Sequence, residues 1–310
     1  LAAGGQPGQA GGVRHQQLDL LAMVLLTVLC ASWGLAQVAI KVANTGISPV
    51  LQSGLRSAGG AVLVLGWCWA RGIPLFARDG TLAAGIIAGV LFAGEFAAIY
   101  TGLLFTSAAR GIVLLYSMPF FVALGAHFFL PGERLTAMKA VGLAAAFLGV
   151  VLALADGLTL PGKDALIGDA LMVLAAALWG ATTIVIKVSP LARARAEKTL
   201  LYQLAVSAAV TLPLSRLLGE AGIFAPTPLV FGALAFQIVW VVAITYVVWF
   251  WIMTHYPAAQ MSSFTFLTPL FGVAFGGLLL GERVSPYLIG ALVLVAIGIF
   301  LVNRPRREGR

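Results

Sequence analysis

Trp33, Gln37 and Lys41 are spaced i, i+4, i+8, so an α-helix sets an indole, an amide and an ammonium on one face. Trp179, Thr183 and Lys187 repeat that stripe with threonine in place of glutamine. An aromatic surface, a hydrogen-bonding group and a cation together suit an amphipathic solute such as an amino acid. The two lysines, lying near the ends of apolar runs, equally fit side chains that snorkel to a membrane interface. Glu95 is the acid deepest within an apolar run, where a charge costs roughly 2.5–3.5 kcal/mol. It therefore needs a partner, a proton or water, and Arg56 and Arg110 are the candidate partners. Two readings stand: a carboxylate that couples protons or binds ammonium, and a structural pair between helices.

Other polar and aromatic groups fall inside apolar runs. With Trp33, Gln37, Glu95, Trp179 and Thr183, the candidates for a central cavity are Tyr100, Tyr116, Gln237, Trp240, Tyr246, Ser263 and Thr265. Pro119 and Pro269 stand mid-run at an offset of 150 residues. Each lacks an N–H, so the carbonyls of Leu115 and Thr265 lose their helical donor. Paired interruptions of this kind point to a transporter's substrate site, or else to packing kinks relieved by neighbouring helices. No metal-ligand spacing, phosphate-binding glycine loop or nucleophile elbow occurs, so the chain does not read as an enzyme and no cofactor is expected.

These residues belong to a chain that repeats itself. Ala31-Ser-Trp-Gly-Leu-Ala-Gln-Val-Ala-Ile-Lys41 returns as Ala177-Leu-Trp-Gly-Ala-Thr-Thr-Ile-Val-Ile-Lys187, offset by 146. Ser107-Ala-Ala-Arg110 is answered by Pro257-Ala-Ala-Gln260, and Gly132-Glu-Arg-Leu135 by Gly281-Glu-Arg-Val284, at offsets of 150 and 149. Matches in one order at near-constant offset mean one unit used twice.

Hydrophobic residues make up 61% of the chain and charged ones 10%, with a mean hydropathy of +1.01. That composition excludes a soluble fold and requires a polytopic membrane protein. Continuous apolar runs without two-residue alternation exclude a β-barrel. Ten helices are predicted: 18–43, 50–70, 82–104, 107–130, 136–155, 164–187, 197–218, 228–252, 257–280 and 285–303. They divide into repeat 1 (18–156, helices 1–5) and repeat 2 (164–303, helices 6–10), flanked by a disordered N-terminus (1–17) and a basic tail (304–310). Cys30 and Cys68 lie inside runs and read as packing residues.

Ten spans put both termini on one side. That side collects Arg14, Arg71, Arg78, Arg134, Lys139, Lys187, Arg193, Arg195, Lys198, Arg304, Arg306, Arg307 and Arg310, while the other keeps Lys41, Arg110, Lys163, Arg216 and Arg283. The positive-inside rule then makes both termini cytoplasmic and accounts for the net charge of +8 without a nucleic-acid partner. An odd number of helices per unit inverts the second copy relative to the first. Inverted repeats characterise secondary transporters, in which two similar halves exchange conformations around a midplane site. A channel or a non-transporting scaffold is the other class to consider.

Two five-helix units, each opening with a Trp-Gly and Lys stripe and holding a mid-span Pro followed by Gly-Glu-Arg, resemble the EamA-type drug/metabolite transporters. The resemblance runs from Leu18 to Val302 and is nearest to the amino-acid exporters of the YddG type. It implies an exporter in the bacterial inner membrane for aromatic and other amino acids, with a cavity lined by helices 1, 3, 4, 6, 8 and 9. The small multidrug exporters of that superfamily rely on a Glu in helix 1, which this chain lacks, so organic cations are less expected. Export of another small metabolite or drug is the alternative.

Overall fold

The computed structural model describes residues 17–75, 79–102, 105–106, 108–155, 165–281 and 286–304, without the side chains of Tyr100 and residues 108–110. Among them the apolar runs form ten helical spans. These are α1 (Leu20–Asn44), α2 (Pro49–Ala70), α3 (Leu82–Gly102), α4 (Ala108–Leu115 with Met118–Phe129), α5 (Ala137–Ala153), α6 (Ala165–Val188) and α7 (Ala196–Leu217). Then come α8 (Pro228–Phe236, Gln237–Thr245 and Tyr246–His255), α9 (Ala258–Ser263, Phe264–Phe266 and Leu267–Leu280) and α10 (Leu288–Asn303). The largest departures from the predicted bounds are three residues, His255 against 252 and Leu288 against 285.

Seven of the spans are long and apolar enough to cross a membrane, and α5 and α10 are shorter apolar helices. α2 is the exception, because Gln52, Ser53, Arg56 and Ser57 all lie on its buried side. Leucine, isoleucine, valine, tryptophan and phenylalanine side chains such as Val62, Trp69, Phe128 and Phe300 stay exposed on the outside, as a lipid-facing surface requires. The chain is a multi-pass, all-α membrane protein.

Ends are capped by local chemistry. Asp19 Oδ1 accepts from Ala22 N at 2.8 Å to start α1, and Thr227 Oγ1 accepts from Val230 N at 3.2 Å to start α8. Pro49 opens α2, where its missing N–H costs nothing. The next donors of α2 are satisfied from the other half: Glu220, just past α7, accepts from Val50 N at 2.9 Å and Leu51 N at 2.8 Å.

The helices pack by a rule that maps each half onto the other. α1 packs on α9 and α8, and its counterpart α6 packs on α4 and α3. α5 packs on α10 and α2 on α7, each against its own counterpart. Ser57 and Ser207, 150 residues apart, place their hydroxyl oxygens 3.2 Å from one another. α2 and α7 run antiparallel there, since the start of α2 meets Glu220 and the start of α7 meets Asp79. A rotation that exchanges the halves thus passes between those two serines, which makes the repeats inverted.

The Trp-Gly pair acquires a physical reason from this packing. A Cβ on Gly34 would lie 2.5 Å from Cβ of Phe271, and one on Gly180 would lie 2.7 Å from Cβ of Phe121. Phe271 and Phe121 are themselves 150 apart. Glycine lets α1 and α6 each touch the helix that carries the mid-span proline.

Among the described residues, three spans are not regular. α4 turns at Tyr116–Ser117, two residues before Pro119, and Ser117 Oγ donates to the Leu114 carbonyl at 2.6 Å. α9 tightens to a 3₁₀ stretch at Phe264–Phe266 ahead of Pro269, with Thr265 Oγ1 donating to Ser262 O at 2.7 Å. These hydroxyls bond the nearby carbonyls of Leu114 and Ser262, not those of Leu115 and Thr265 that the prolines deprive of a helical donor. α8 widens to a π-helix over Gln237–Thr245. Nothing in its apolar pattern signals that change.

Candidate functional site

A cavity of about 190 Å³ opens between the halves. α1 contributes Trp33, Gln37 and Ile40; α3 contributes Phe92, Glu95, Phe96 and Ile99; α4 contributes Tyr116; and α6 contributes Trp179, Thr182 and Thr183. α8 adds Tyr246, Trp249, Phe250 and Met253. Arg56 of α2 and Gln203 of α7 complete the polar part. Eight residues singled out in the sequence thus share one space: Trp33, Gln37, Arg56, Glu95, Tyr116, Trp179, Thr183 and Tyr246.

The aromatic walls are ordered by their own contacts. Trp33 donates from Nε1 to Thr245 Oγ1 at 2.9 Å and meets Trp249 and Tyr246 edge-on, with centroids 5.1 and 6.0 Å away. Across the cavity its counterpart Trp179 stands edge-on to Tyr116 at 6.1 Å. Thr183 spends its hydroxyl on the Trp179 carbonyl at 3.2 Å.

The charged groups are less matched. Glu95 is 5% exposed and Arg56 4%. The Arg56 guanidinium lies 4.4 Å over the Phe96 ring centroid. Its Nε and Nη2, the Glu95 Oε2 and both side-chain polar atoms of Gln203 have no hydrogen-bond partner among the described residues. Of the two arginines proposed beside Glu95, Arg56 shares its cavity and Arg110 lies outside the described side chains.

Four candidates stand elsewhere. Gln237 accepts from Gln52 Nε2 at 3.1 Å and donates to its own helix. Trp240 is 41% exposed and donates to Ser32 Oγ at 3.1 Å. Ser263 and Thr265 are fully buried and bond the carbonyls of Gln260 and Ser262. α9 therefore adds no lining residue among those described, because it packs behind α1 at Gly34. Tyr100 has a side chain outside the described set. Gln203, which sequence reasoning passed over, is the lone amide in the middle of an otherwise apolar stretch of α7, and α2 and α7 enter the lining through it and Arg56.

A cluster of polar contacts joins the loops on the face bearing the chain ends. Lys187 Nζ lies 3.7 Å from Glu133 Oε1 and donates to the Tyr256 carbonyl. Glu133 Oε2 accepts from Ala259 N at 3.2 Å, and Tyr256 Oη donates to Asp19 Oδ2 at 2.9 Å. Nearby, Lys198 Nζ meets Asp79 Oδ2 at 2.8 Å. That ammonium first, and the Thr81 hydroxyl second, hold the Asp79 carboxyl well below the usual carboxylate range. Lys187 is thus buried in a tie between α6 and two loops, whereas its counterpart Lys41 is exposed. Lys187→Met should accelerate labelling of a Thr183→Cys variant by a thiol reagent applied to this face, the native Cys30 and Cys68 being buried. An unaltered labelling rate would mean that the tie does not guard the cavity.

Comparison with known proteins follows the same division of the chain. The EamA-like transporter family matches residues 20–155 and again residues 166–304. The chain is 27% identical over 283 residues to the uncharacterized transporter YoaV of Bacillus subtilis, covering 91% of this chain and 95% of that protein. It is 30% identical over 289 residues to the WAT1-related chloroplastic protein At3g02690 of Arabidopsis thaliana, covering 88% and 67% respectively. A solved crystal structure superposes with a TM-score of 0.79 at 18% identity over 92% of this chain and 96% of its own, a likeness of fold.

Proposed function

The chain belongs to the EamA-like transporter family of drug/metabolite carriers, and on that premise we propose that it exports amino acids, aromatic ones among them, by alternating access. The observation that carries this reading is the cavity at the seam of the halves, where a buried carboxylate and a buried guanidinium face walls of tryptophan and tyrosine. A zwitterion with an apolar side chain matches both parts of that surface. Lys41 and Lys187 lie towards opposite faces and serve as gate charges rather than substrate ligands.

In this reading the two units, 18–156 and 164–303, are the bodies that exchange conformations, and the helix breaks before Pro119 and Pro269 are where they flex. The excess of Lys and Arg on the face of the chain ends makes that face cytoplasmic, and the membrane is the bacterial inner membrane. The tie through Lys187, Glu133 and Tyr256 then closes the cytoplasmic side.

A counterflow screen with reconstituted protein tests the proposal. Liposomes loaded with unlabelled amino acid should take up labelled tryptophan or phenylalanine in a saturable, competable way. Saturable exchange of nucleosides or organic cations, with none of amino acids, would transfer the chain to another substrate class. Non-saturating flux would favour a pore.

A further inference from the structure

The geometry points to Arg56, assisted by Gln203, as the anchor for the free α-carboxylate of the transported solute. The inference rests on the amino-acid reading of the cavity and adds to it which groups choose between substrates.

A guanidinium presents its N–H groups along flat edges, and the edge formed by Nε and Nη2 matches the two oxygens of one carboxylate through parallel hydrogen bonds. These are the two Arg56 nitrogens without a partner among the described residues, in a side chain that is 4% exposed. Contact with Phe96, 4.4 Å from the guanidinium carbon to the ring centroid, supports the flat face, and the edge itself is buried with neither nitrogen hydrogen-bonded among the described residues. Burying such an edge unmatched is costly, so a ligand that matches it gains strongly.

Glu95 is the obvious internal acceptor, yet its Oε2 is itself buried without a partner. Two residues of opposite charge line one cavity, each with unmet hydrogen bonding, and a solute bearing both signs answers both: carboxylate on Arg56, ammonium on Glu95. Gln203 reaches the same cavity from α7 with both amide atoms unpartnered and 1% exposure. Its N–H₂ supplies a further donor to the carboxylate. The aromatic walls then receive the side chain, so recognition of the backbone groups is separate from that of the side chain.

Binding is measured by calorimetry on the purified full chain with tryptophan, tryptamine, which lacks the carboxylate, and indole-3-propionate, which lacks the ammonium. Wild-type protein should prefer tryptophan to tryptamine at least about tenfold, the value of one hydrogen bond to a charged group. Arg56→Gln should lose that preference by weakening tryptophan alone, and Arg56→Lys should restore part of it. Gln203→Leu, which removes two unpartnered buried atoms, should weaken tryptophan about two- to tenfold and leave tryptamine unchanged. If wild type binds tryptophan and Arg56→Gln keeps the preference for it, the anchor is overturned while the amino-acid reading survives. Recovery of tryptophan binding in Arg56→Gln/Glu95→Gln would make Arg56 a mere counter-charge and also overturn it. If wild type binds none of the three, the amino-acid reading falls, and the anchor with it.

Discussion

Glu95→Gln is expected to leave substrate flux indifferent to an imposed pH gradient, whereas wild-type flux should rise when protons can move opposite to the solute. The side chain is 5% exposed on a membrane-spanning helix and one of its oxygens has no partner among the described residues. Keeping a carboxylate ionised at such depth costs roughly 2.5–3.5 kcal/mol, and in the export reading it is offset by a proton and a cationic ligand in turn. One group that alternates between them couples the two flows. Glutamine keeps the shape, replaces one acceptor oxygen with an N–H₂ donor and removes the proton exchange. Among the described residues, the groups that face it are Arg56 and, more remotely, Tyr116, both retained in the variant. Flux measured in proteoliposomes with and without a pH step decides the matter. An equal response in wild type and variant would remove Glu95 from coupling.

The second large effect concerns the helix crossings. Gly34→Ala and Gly180→Ala should each lower the thermal midpoint in detergent, equivalent to about 1–3 kcal/mol for an overpacked contact. On Gly34 the added methyl would sit 2.5 Å from Cβ of Phe271 and 2.8 Å from the Gly272 nitrogen, neither of which can rotate away. On Gly180 the nearest atom is Cβ of Phe121 at 2.7 Å, with the next at 3.4 Å, so the relief needed is smaller. The loss should therefore be greater at Gly34. Gly66→Ala is the control, because nothing lies within 4 Å of its added carbon. Equal midpoints for all three variants would refute the close-crossing account of the Trp-Gly pair.

The large features were legible because each leaves a mark in one dimension. Apolar run length marks the spans, the recurrence of Trp-Gly and Gly-Glu-Arg marks the doubling, and Pro119 and Pro269 mark two of the three irregular spans. The cavity was legible where a side chain is out of place in a hydrocarbon setting, as Glu95, Arg56 and Gln37 are. It was not legible where the same polar residue has a local outlet. Thr265 and Ser263 bond carbonyls of their own helix, and Gln237 bonds Gln52 across to α2, so their polarity is spent before it reaches a cavity. Trp240 shows the opposite failure, since an indole mid-span suits lipid as well as a pocket wall. The π stretch in α8 alters hydrogen bonding without altering residue type, and composition carries no trace of it.

The paired hydroxyls of Ser57 and Ser207 bear on how cheaply such a machine can cycle. A contact made of equivalent atoms looks identical before and after two bodies trade places, so nothing there has to be broken and remade. It can act as an axle. In the alternating-access reading proposed above, the work of each stroke then falls on the rim, in ties such as the one at Lys187.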